Sequence, residues 1–338
     1  MTKRTQRKCQ TSDKDNALNT FLAMPEIFAD LFNAVVFEGK QVILPENLEP
    51  ADRLLSEVVG KGRNQAKLTR YRDVFKAYRD ENAAYILLGI ESQTAIHYAM
   101  PLRNMIYDAL SMLARLRQKS AKHLALKDLK RPDEFLSRFS KTDRIDPVIS
   151  LVVYTGTATW DGPQSLHDMI SFPNEAYKRF TPNYFINFVF PAKMDEAMFV
   201  RFSTELHDVF KCIRFSDSKE AFNAFIMNDL RCQEMSFEAV QAINACTHAN
   251  IKVTREGGRI NMCQAIIDLK KEAYDDGFQK GEESGFQKGE ESGFQKGSFC
   301  IALRMYNGKY SIQEISEMTG LTQEEIKTVI QAQQYMGV

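Results

Sequence analysis

Two acidic residues and an amide lie in neighbouring segments that are predicted to be strands. Residues 71–78 contain Asp73, and the mostly apolar residues 85–93 contain Glu91 and Gln93. Because strand side chains alternate between two faces, Glu91 and Gln93 point the same way. The polar residues between the segments predict a turn, so the strands would pair and bring Asp73 close. Carboxylate oxygens are ligands that Mg²⁺ prefers, so this pattern predicts a magnesium site able to act on a phosphodiester.

Glu91 is the strongest candidate because it follows directly from an apolar strand. A carboxylate there costs free energy unless it has a partner, although an acid at a strand end is more often simply solvated. Gln93 can orient water or a phosphate oxygen, but it cannot accept a proton or supply positive charge. Lys76 could do both, yet its register places it on the face opposite Asp73.

Helices are predicted on both sides of this hairpin. Apolar spacing over residues 15–37 indicates two helices divided by Met24-Pro25, and a helix-borne acid, Asp13 or Asp15, could join the site. Met100-Pro101 begins a long helix that runs to about Lys122, since proline is favourable in a first helical turn.

Further strands and helices define the fold class. Short strands are predicted at Val42–Leu44, at the apolar run Val148–Tyr154 and at Asn183–Phe190, and residues 195 to about 250 are predicted to be helical. This order of elements predicts an α/β fold, with a mixed β-sheet flanked by helices and a helical C-terminal tail.

The chain resembles the recombination-promoting nuclease and putative transposase family of the PD-(D/E)XK nuclease superfamily, over roughly residues 15–250. The resemblance lies in Asp15-Asn-Ala-Leu-Asn-Thr-Phe-Leu22, Asp73, Leu87-Leu-Gly-Ile-Glu-Ser-Gln93, Met100-Pro-Leu-Arg-Asn-Met-Ile-Tyr107 and Pro147-Val-Ile-Ser-Leu-Val-Val-Tyr-Thr-Gly156. The order and spacing of these segments together are specific to the family.

The resemblance implies a restriction-endonuclease-like core and a Mg²⁺-dependent DNA endonuclease, with Mn²⁺ as an alternative ion, acting in recombination or mobile DNA. It implies metal ligands at Asp73 and Glu91, an active-site role for Gln93 where the wider superfamily has lysine, and a contribution from Asp15. The chain departs from the family at Lys14, where histidine is frequent. The alternatives are a catalytically inactive DNA-binding or assembly protein that keeps the fold, and a nuclease acting on RNA.

A basic stretch follows the predicted site. Arg103 lies early in the long helix and could face the site, and Asp128 is the one acid among the bases further along. Those bases are Arg115, Arg117, Lys119, Lys122, Lys127, Lys130 and Arg131. They could follow DNA phosphates without reading sequence, or they could form the solvated end of a helix, where bases are also favoured.

The chain is predicted to divide into four parts. Residues 1–14 form a disordered basic terminus, 15–270 the nuclease-like domain with a helical extension, 271–297 a repeat linker, and 298–338 a small helix-turn-helix-like module.

The linker repeats an eight-residue unit, Gly277-Phe-Gln-Lys-Gly-Glu-Glu-Ser284, so glycine falls at every fourth position. Glycine weakens helices, which favours a flexible or semi-helical linker, and close helix packing that makes a homo-oligomer is the alternative. Ser311 and Thr322 begin two capping-box patterns in the terminal module. Acidic residues outnumber basic ones there, which argues against a DNA-recognition helix and leaves oligomerisation or partner docking, or a plain packed hairpin.

Composition limits the remaining classes. The net charge is zero, so only local patches can indicate a nucleic-acid partner. Six cysteines without a Cys-x-x-Cys pair favour reduced thiols and a cytoplasmic protein rather than disulfides or zinc. The N-terminus lacks the apolar segment of a secretion signal, and no apolar run is long enough to span a membrane.

Overall fold

The computed structural model describes residues 16–51, 54–59, 66–79, 85–247, 249–253 and 258–336. The predicted disordered terminus, residues 1–14, lies outside this part of the chain. The chain divides into two compact units, one ending at Ile266 and the other beginning at Ile267.

The first unit is built on a five-stranded mixed sheet with the order β1-β4-β5-β6-β7. The pairs β1/β4 and β4/β5 are antiparallel, whereas β5/β6 and β6/β7 are parallel. A separate antiparallel pair, β2/β3, forms the second sheet. The strands are β1 (Leu48–Pro50), β2 (Leu54–Val59), β3 (Ala66–Tyr71), β4 (Val74–Arg79), β5 (Tyr85–Gln93), β6 (Val148–Tyr154) and β7 (Asn187–Val189). The predicted α/β class with a mixed sheet is therefore confirmed.

Helices surround the sheet and continue into the second unit. They are α1 (16–22), α2 (Pro25–Val36), α3 (Met100–Leu126), α4 (Pro132–Ser137), α5 (Glu196–Phe199), α6 (Leu206–Arg214), α7 (Lys219–Asn228), α8 (Phe237–Thr247), α9 (Met262–Asn307), α10 (Ile312–Thr319) and α11 (Gln323–Met336). Short 3₁₀ turns lie in the connections, for example Glu175–Phe180.

The main core lies on one face of the sheet. Leu88 and Ile90 of β5 are fully buried there against apolar side chains of α1, α2, α6 and α8, such as Phe28 and Phe210. The opposite face packs against the start of α3, where Met100 contacts the cluster of Val152 and Tyr154. Alternate residues of β5 therefore face different helical layers, as period-two alternation requires.

The predicted break at Met24-Pro25 is confirmed, since α1 ends at residue 22 and α2 begins at Pro25. The predicted strand at Val42–Leu44 is wrong. The Asn33 side chain binds this segment instead: Oδ1 accepts hydrogen bonds from the Val42 and Ile43 amides at 3.1 and 2.8 Å. Those backbone groups are thus satisfied without a strand partner, and the edge strand of the sheet is β1.

The second unit contains α10, α11 and most of α9. Buried Ala302, Ile315, Leu321, Ile326 and Ile330 form its core. Both predicted capping boxes are present: Glu314 Oε2 accepts from the Ser311 amide and Glu325 Oε2 from the Thr322 amide, each at 2.8 Å. Gly320 ends α10 with a left-handed φ of 71°, which suits glycine at that position.

The repeat segment is not a flexible linker, because α9 runs as one 46-residue helix through all of it. Its first turn is held in the core of the first unit by Met262 and Ile266. Ala302, near its other end, lies in the core of the second unit. The glycines are spaced by Gln, Lys and Glu, which are good helix formers and offset part of the glycine cost. The predicted boundaries of the linker at 271 and 297 therefore fall inside a helix.

Candidate active site

The sequence predicted Asp73 within a strand, but Asp73 lies in the short connection between β3 and β4. Its Oδ2 atom accepts a hydrogen bond of 2.9 Å from the backbone amide of Ser92 in β5. Arg72 and Asp73 interrupt what the sequence pattern predicts as one continuous strand from residue 71. The connection still places the carboxylate at the carboxyl end of β5.

Glu91 is fully buried on β5. Its Oε1 atom has no hydrogen-bond partner among the described residues. Its Oε2 atom lies 3.5 Å from Nη2 of Arg103. Burial, and then the negative charge of Asp73, raise the pKa of the Glu91 carboxyl to about 8, while the Arg103 and Arg72 charges oppose this shift. Asp73 and Glu91 are thus close enough to repel each other, which an added cation would relieve.

Lys76 lies on the face of the sheet opposite Glu91, yet it lines the same cleft as Asp73, so the predicted separation from Asp73 is wrong. Its ammonium nitrogen is 5.5 Å from the centre of the Phe28 ring, in the layer of α2, and burial lowers its pKa. Phe75, the preceding residue, packs instead with Leu87 on the opposite face. In this register the Lys76 side chain is directed away from Glu91.

Gln93 ends β5, half-buried, and its backbone oxygen accepts a 2.9 Å hydrogen bond from the Thr155 amide. The alternation of β5 places it on the Glu91 face. Asp13 and Asp15 lie outside the described residues. Asn19 of α1 does reach the site edge, where its Oδ1 accepts a 2.7 Å hydrogen bond from the Ser92 hydroxyl.

A cleft of about 450 Å³ opens beside Asp73. The polar side chains of Asn16, Asn19 and Thr20 line its α1 side, and Asp73 and Lys76 contribute to its β4 side. The first helix therefore borders the predicted site, as the sequence pattern suggests. In the described residues it does so through amides and a hydroxyl.

Behind Glu91 lies a buried polar network that the sequence reasoning missed. The Arg72 side chain is fully buried, and its guanidinium donates to Asp108 Oδ1 and to Ser150 Oγ, each at 2.6 Å. Tyr184 donates its hydroxyl to the other Asp108 oxygen at 2.5 Å, and Asn104 donates to the Tyr184 hydroxyl at 2.9 Å. The network joins α3, β6 and the residue next to Asp73, so it fixes the connection that carries Asp73.

The sequence did contain a signal for this network. Ser150 interrupts an apolar strand, whereas Asn104 and Asp108 lie on the side of α3 away from the apolar positions that predict this helix, so those two gave no signal. Gly89 is the matching gap in β5, because a side-chain carbon there would lie 2.2 Å from Arg72 Nη1. Such coinciding exceptions to an apolar pattern indicate a buried polar contact.

Arg103 faces the site from the first turn of α3. Its Nε donates a 2.8 Å hydrogen bond to the Tyr107 hydroxyl, and its guanidinium lies 5.5 Å from the centre of the Tyr107 ring. Its side chain remains 31% exposed. Burial lowers its pKa, but the bond to Tyr107 and the charge of Glu91 outweigh this and raise it.

The predicted basic stretch follows along α3 and beyond. Arg117 and Lys122 are exposed, whereas Arg115 and Lys119 are half-buried. Arg115 Nε lies 3.9 Å from Asp146 Oδ2. His123 is bound between Asp128 and Asp143, each at 2.7 Å. The stretch therefore keeps exposed bases, but nearby acids neutralise part of its charge.

The described residues hold neither a ready-made metal cluster nor a membrane-spanning helix. No group of three or more His, Cys, Asp or Glu side chains is placed to hold a metal ion. An ion here would therefore have two described carboxylates at most. No described helix is long and apolar enough to cross a membrane.

Comparison of the chain with protein-family models, with curated proteins and with solved structures finds no match in any of the three.

Proposed function

We propose that the chain is a Mg²⁺-dependent DNA endonuclease with a restriction-endonuclease-like core. The observation that carries the proposal is the buried Glu91 carboxylate, whose Oε1 atom has no hydrogen-bond partner in the described residues. A buried acid of this kind is costly unless it has a cation or a proton. The resemblance to the recombination-promoting nuclease family supports the same assignment.

The residues present fit a magnesium ion. Mg²⁺ commonly binds one or two carboxylates and completes its shell with water and substrate phosphate. Asp73 and Glu91 would supply those carboxylates, and Mn²⁺ could replace Mg²⁺. The bound ion would neutralise charge on the phosphate and lower the pKa of water.

The reaction is hydrolysis of a phosphodiester. A water oxygen forms a new bond to phosphorus, the bond from phosphorus to one sugar oxygen breaks, and a water proton ends on that leaving oxygen. Gln93, on the Glu91 face, would orient the water or a phosphate oxygen through its amide. Asp15, or an amide of α1 such as Asn19, would assist at the cleft edge.

DNA would approach along α3. Arg103 lies beside Glu91, and Arg115, Arg117, Lys119 and Lys122 continue along the same helix. Basic side chains of this kind bind phosphates without reading bases, so binding would be salt-dependent. Recombination or mobile DNA is the setting that the family resemblance suggests.

Plasmid nicking tests the proposal. The full-length protein is incubated with supercoiled DNA in Mg²⁺, in Mn²⁺ and in EDTA, and Mn²⁺ binding is measured by calorimetry. We expect metal-dependent nicking that Asp73→Asn and Glu91→Gln abolish together with Mn²⁺ binding. Glu317→Gln changes an exposed acid of α10 and should change neither. Nicking that survives both site variants would overturn the site.

The second candidate is a catalytically inactive DNA-binding or assembly protein. It is favoured by the lack of a third acidic or histidine ligand in the described residues and by an amide at Gln93. Wild-type protein that binds DNA but neither nicks it nor binds Mn²⁺ would support this candidate. The same assay with RNA distinguishes an RNA-directed nuclease.

A further inference from the structure

Arg103 is held near Glu91 without being fully paired to it. The 3.5 Å between Arg103 Nη2 and Glu91 Oε2 is longer than a charge-assisted hydrogen bond of about 2.7–2.9 Å. The side chain also keeps 31% of its surface exposed. The guanidinium therefore retains donors that a ligand entering from solvent could use.

Tyr107 fixes the other side of the same guanidinium. It accepts the Arg103 Nε hydrogen at 2.8 Å, one helical turn further along α3. Tyr107 is itself buried, with 3% of its surface exposed. This contact leaves the terminal NH₂ groups on the side of Glu91 and the solvent.

The proposed site needs a positive charge beside the phosphate, and its other candidates do not provide one. Gln93 is neutral, and Lys76, although it lines the cleft beside Asp73, lies on the face of the sheet opposite Glu91. Two arginines act on the Glu91 carboxyl, Arg72 and Arg103. Arg72 is fully buried and bound to Asp108 and Ser150, so only Arg103 of this pair reaches solvent.

We propose that Arg103 is a catalytic residue that binds the non-bridging oxygens of the scissile phosphodiester, with Tyr107 as its positioning residue. This inference rests on the proposed function. As water attacks phosphorus, negative charge grows on those oxygens, and preorganised N–H donors stabilise it more than they stabilise the ground state. Arginine stays protonated, so Arg103 transfers no proton, and the leaving oxygen receives its proton from water.

The test is single-turnover cleavage at saturating DNA in Mg²⁺. Arg103→Ala should lower the rate about 10²–10³-fold, the usual effect of losing one transition-state donor. Arg103→Lys should recover part of the rate because the charge is kept. Added guanidinium at millimolar concentration should partly rescue Arg103→Ala, which loss of a purely structural contact would not allow. Tyr107→Phe should lower the saturated rate while leaving DNA affinity unchanged.

Two further variants separate chemistry from binding. Arg117→Ala, in the exposed part of α3, should weaken DNA affinity in anisotropy measurements and so reports on binding. Arg179→Ala, exposed in the 175–180 turn, should change neither the DNA affinity nor the saturated rate.

The outcomes distinguish this inference from the proposed function. Wild-type cleavage together with an Arg103→Ala rate equal to wild type at saturation would overturn the Arg103 role and leave the nuclease intact. If the Arg103→Ala rate returns fully to the wild-type rate at higher DNA concentration, the Arg103 role is also overturned. Such a result would show that Arg103 contributes only to ground-state binding. A wild-type protein that does not cleave overturns both.

Discussion

Gly89 of β5 and Arg72, next to Asp73, occupy adjoining space. A side-chain carbon built on Gly89 would lie 2.2 Å from Arg72 Nη1 and 3.3 Å from Ser150 Oγ. The glycine therefore leaves room for the buried Arg72 side chain to lie over β5 and reach Asp108. The connection that carries Asp73 depends on this arrangement.

Gly89→Ala should accordingly destabilise the protein. Arg72 Nη1 is at the end of a long side chain. The guanidinium cannot move aside without losing hydrogen bonds, because Nη1 donates to Ser150 and Nη2 donates to Asp108. We expect a loss of about 1–3 kcal/mol, typical of overpacking, measured by urea unfolding of the first unit's signal. Mn²⁺ affinity should fall as well, because Asp73 is displaced. Unchanged stability and affinity would show that Arg72 adapts freely.

Gly281→Ala, in α9, is the comparison for Gly89→Ala. A side-chain carbon there meets nothing within 4 Å, and the backbone is already helical. Alanine should raise helix stability by about 1 kcal/mol per site, seen as increased helical circular dichroism and a higher melting temperature. A decrease would show that the glycine stripe is covered by another surface, such as a second copy of this helix.

Removing one partner of the buried Arg72–Asp108 ion pair should lower the free energy of unfolding more than replacing both partners with apolar residues. Asp108→Asn leaves Arg72 with a weakened partner in a fully buried position. Loss of one partner of a buried pair typically costs about 3–5 kcal/mol. Arg72→Met combined with Asp108→Leu should recover part of that stability, because the buried ion pair is removed as a unit and neither of its charges is left without a partner. A double variant less stable than Asp108→Asn alone would contradict the desolvation argument.

The double variant Arg72→Met with Asp108→Leu should still bind Mn²⁺ more weakly than the wild type. Arg72→Met with Asp108→Leu removes the bonds that position the Asp73 connection, so we expect weaker Mn²⁺ binding even where unfolding is close to wild type. Calorimetry on this variant separates stability from positioning. Wild-type metal affinity in it would show that the network is structural only.

His123 should make the end of α3 sensitive to pH. Hydrogen bonds that the ring donates to Asp128 and then to Asp143 raise its pKa, so the folded protein holds the proton more tightly than the unfolded chain. Stability from this contact is fully present below the ordinary histidine pKa of about 6.5 and is lost as pH rises through the folded value. An NMR titration of the His123 ring should show the raised pKa.

His123→Gln provides the comparison for that titration. The variant should lose the pH dependence of unfolding over the same range, because glutamine carries no titrating charge. Asp133, an exposed acid of α4 that does not contact His123, offers a control in Asp133→Asn. A ring pKa at or below the ordinary value would contradict the doubly bonded geometry.

The sequence predicted much of the local structure because that structure depends on local rules. Pro25 and Pro101 mark helix starts, Ser311 and Thr322 cap helices, and a continuous apolar run marks β5. Each signal acts over a few residues, so it can be read without knowing the fold. The same rules failed at Val42–Leu44, where a side chain 10 residues away in sequence, Asn33, binds the backbone.

The repeats show where local rules mislead. Glycine at every fourth position predicts a weak helix, yet the helix is continuous from Met262 to Asn307. Packing at its ends in Ile266 and Ala302 contributes stability that propensity does not count. Tertiary contacts commonly override propensities of this size.

By itself, the sequence determined the α/β class, the order of the main elements and the candidate carboxylates Asp73 and Glu91. The alternation of strand side chains, which backbone geometry fixes, also indicated that Lys76 points away from the predicted site. Only the tertiary structure decided that Glu91 is buried with an unpartnered oxygen and that Arg103 reaches it from α3. It also revealed the Arg72–Asp108–Ser150 network, whose members are 36 or more positions apart. Contacts between distant residues depend on how strands and helices pack, and packing is a property of the whole fold.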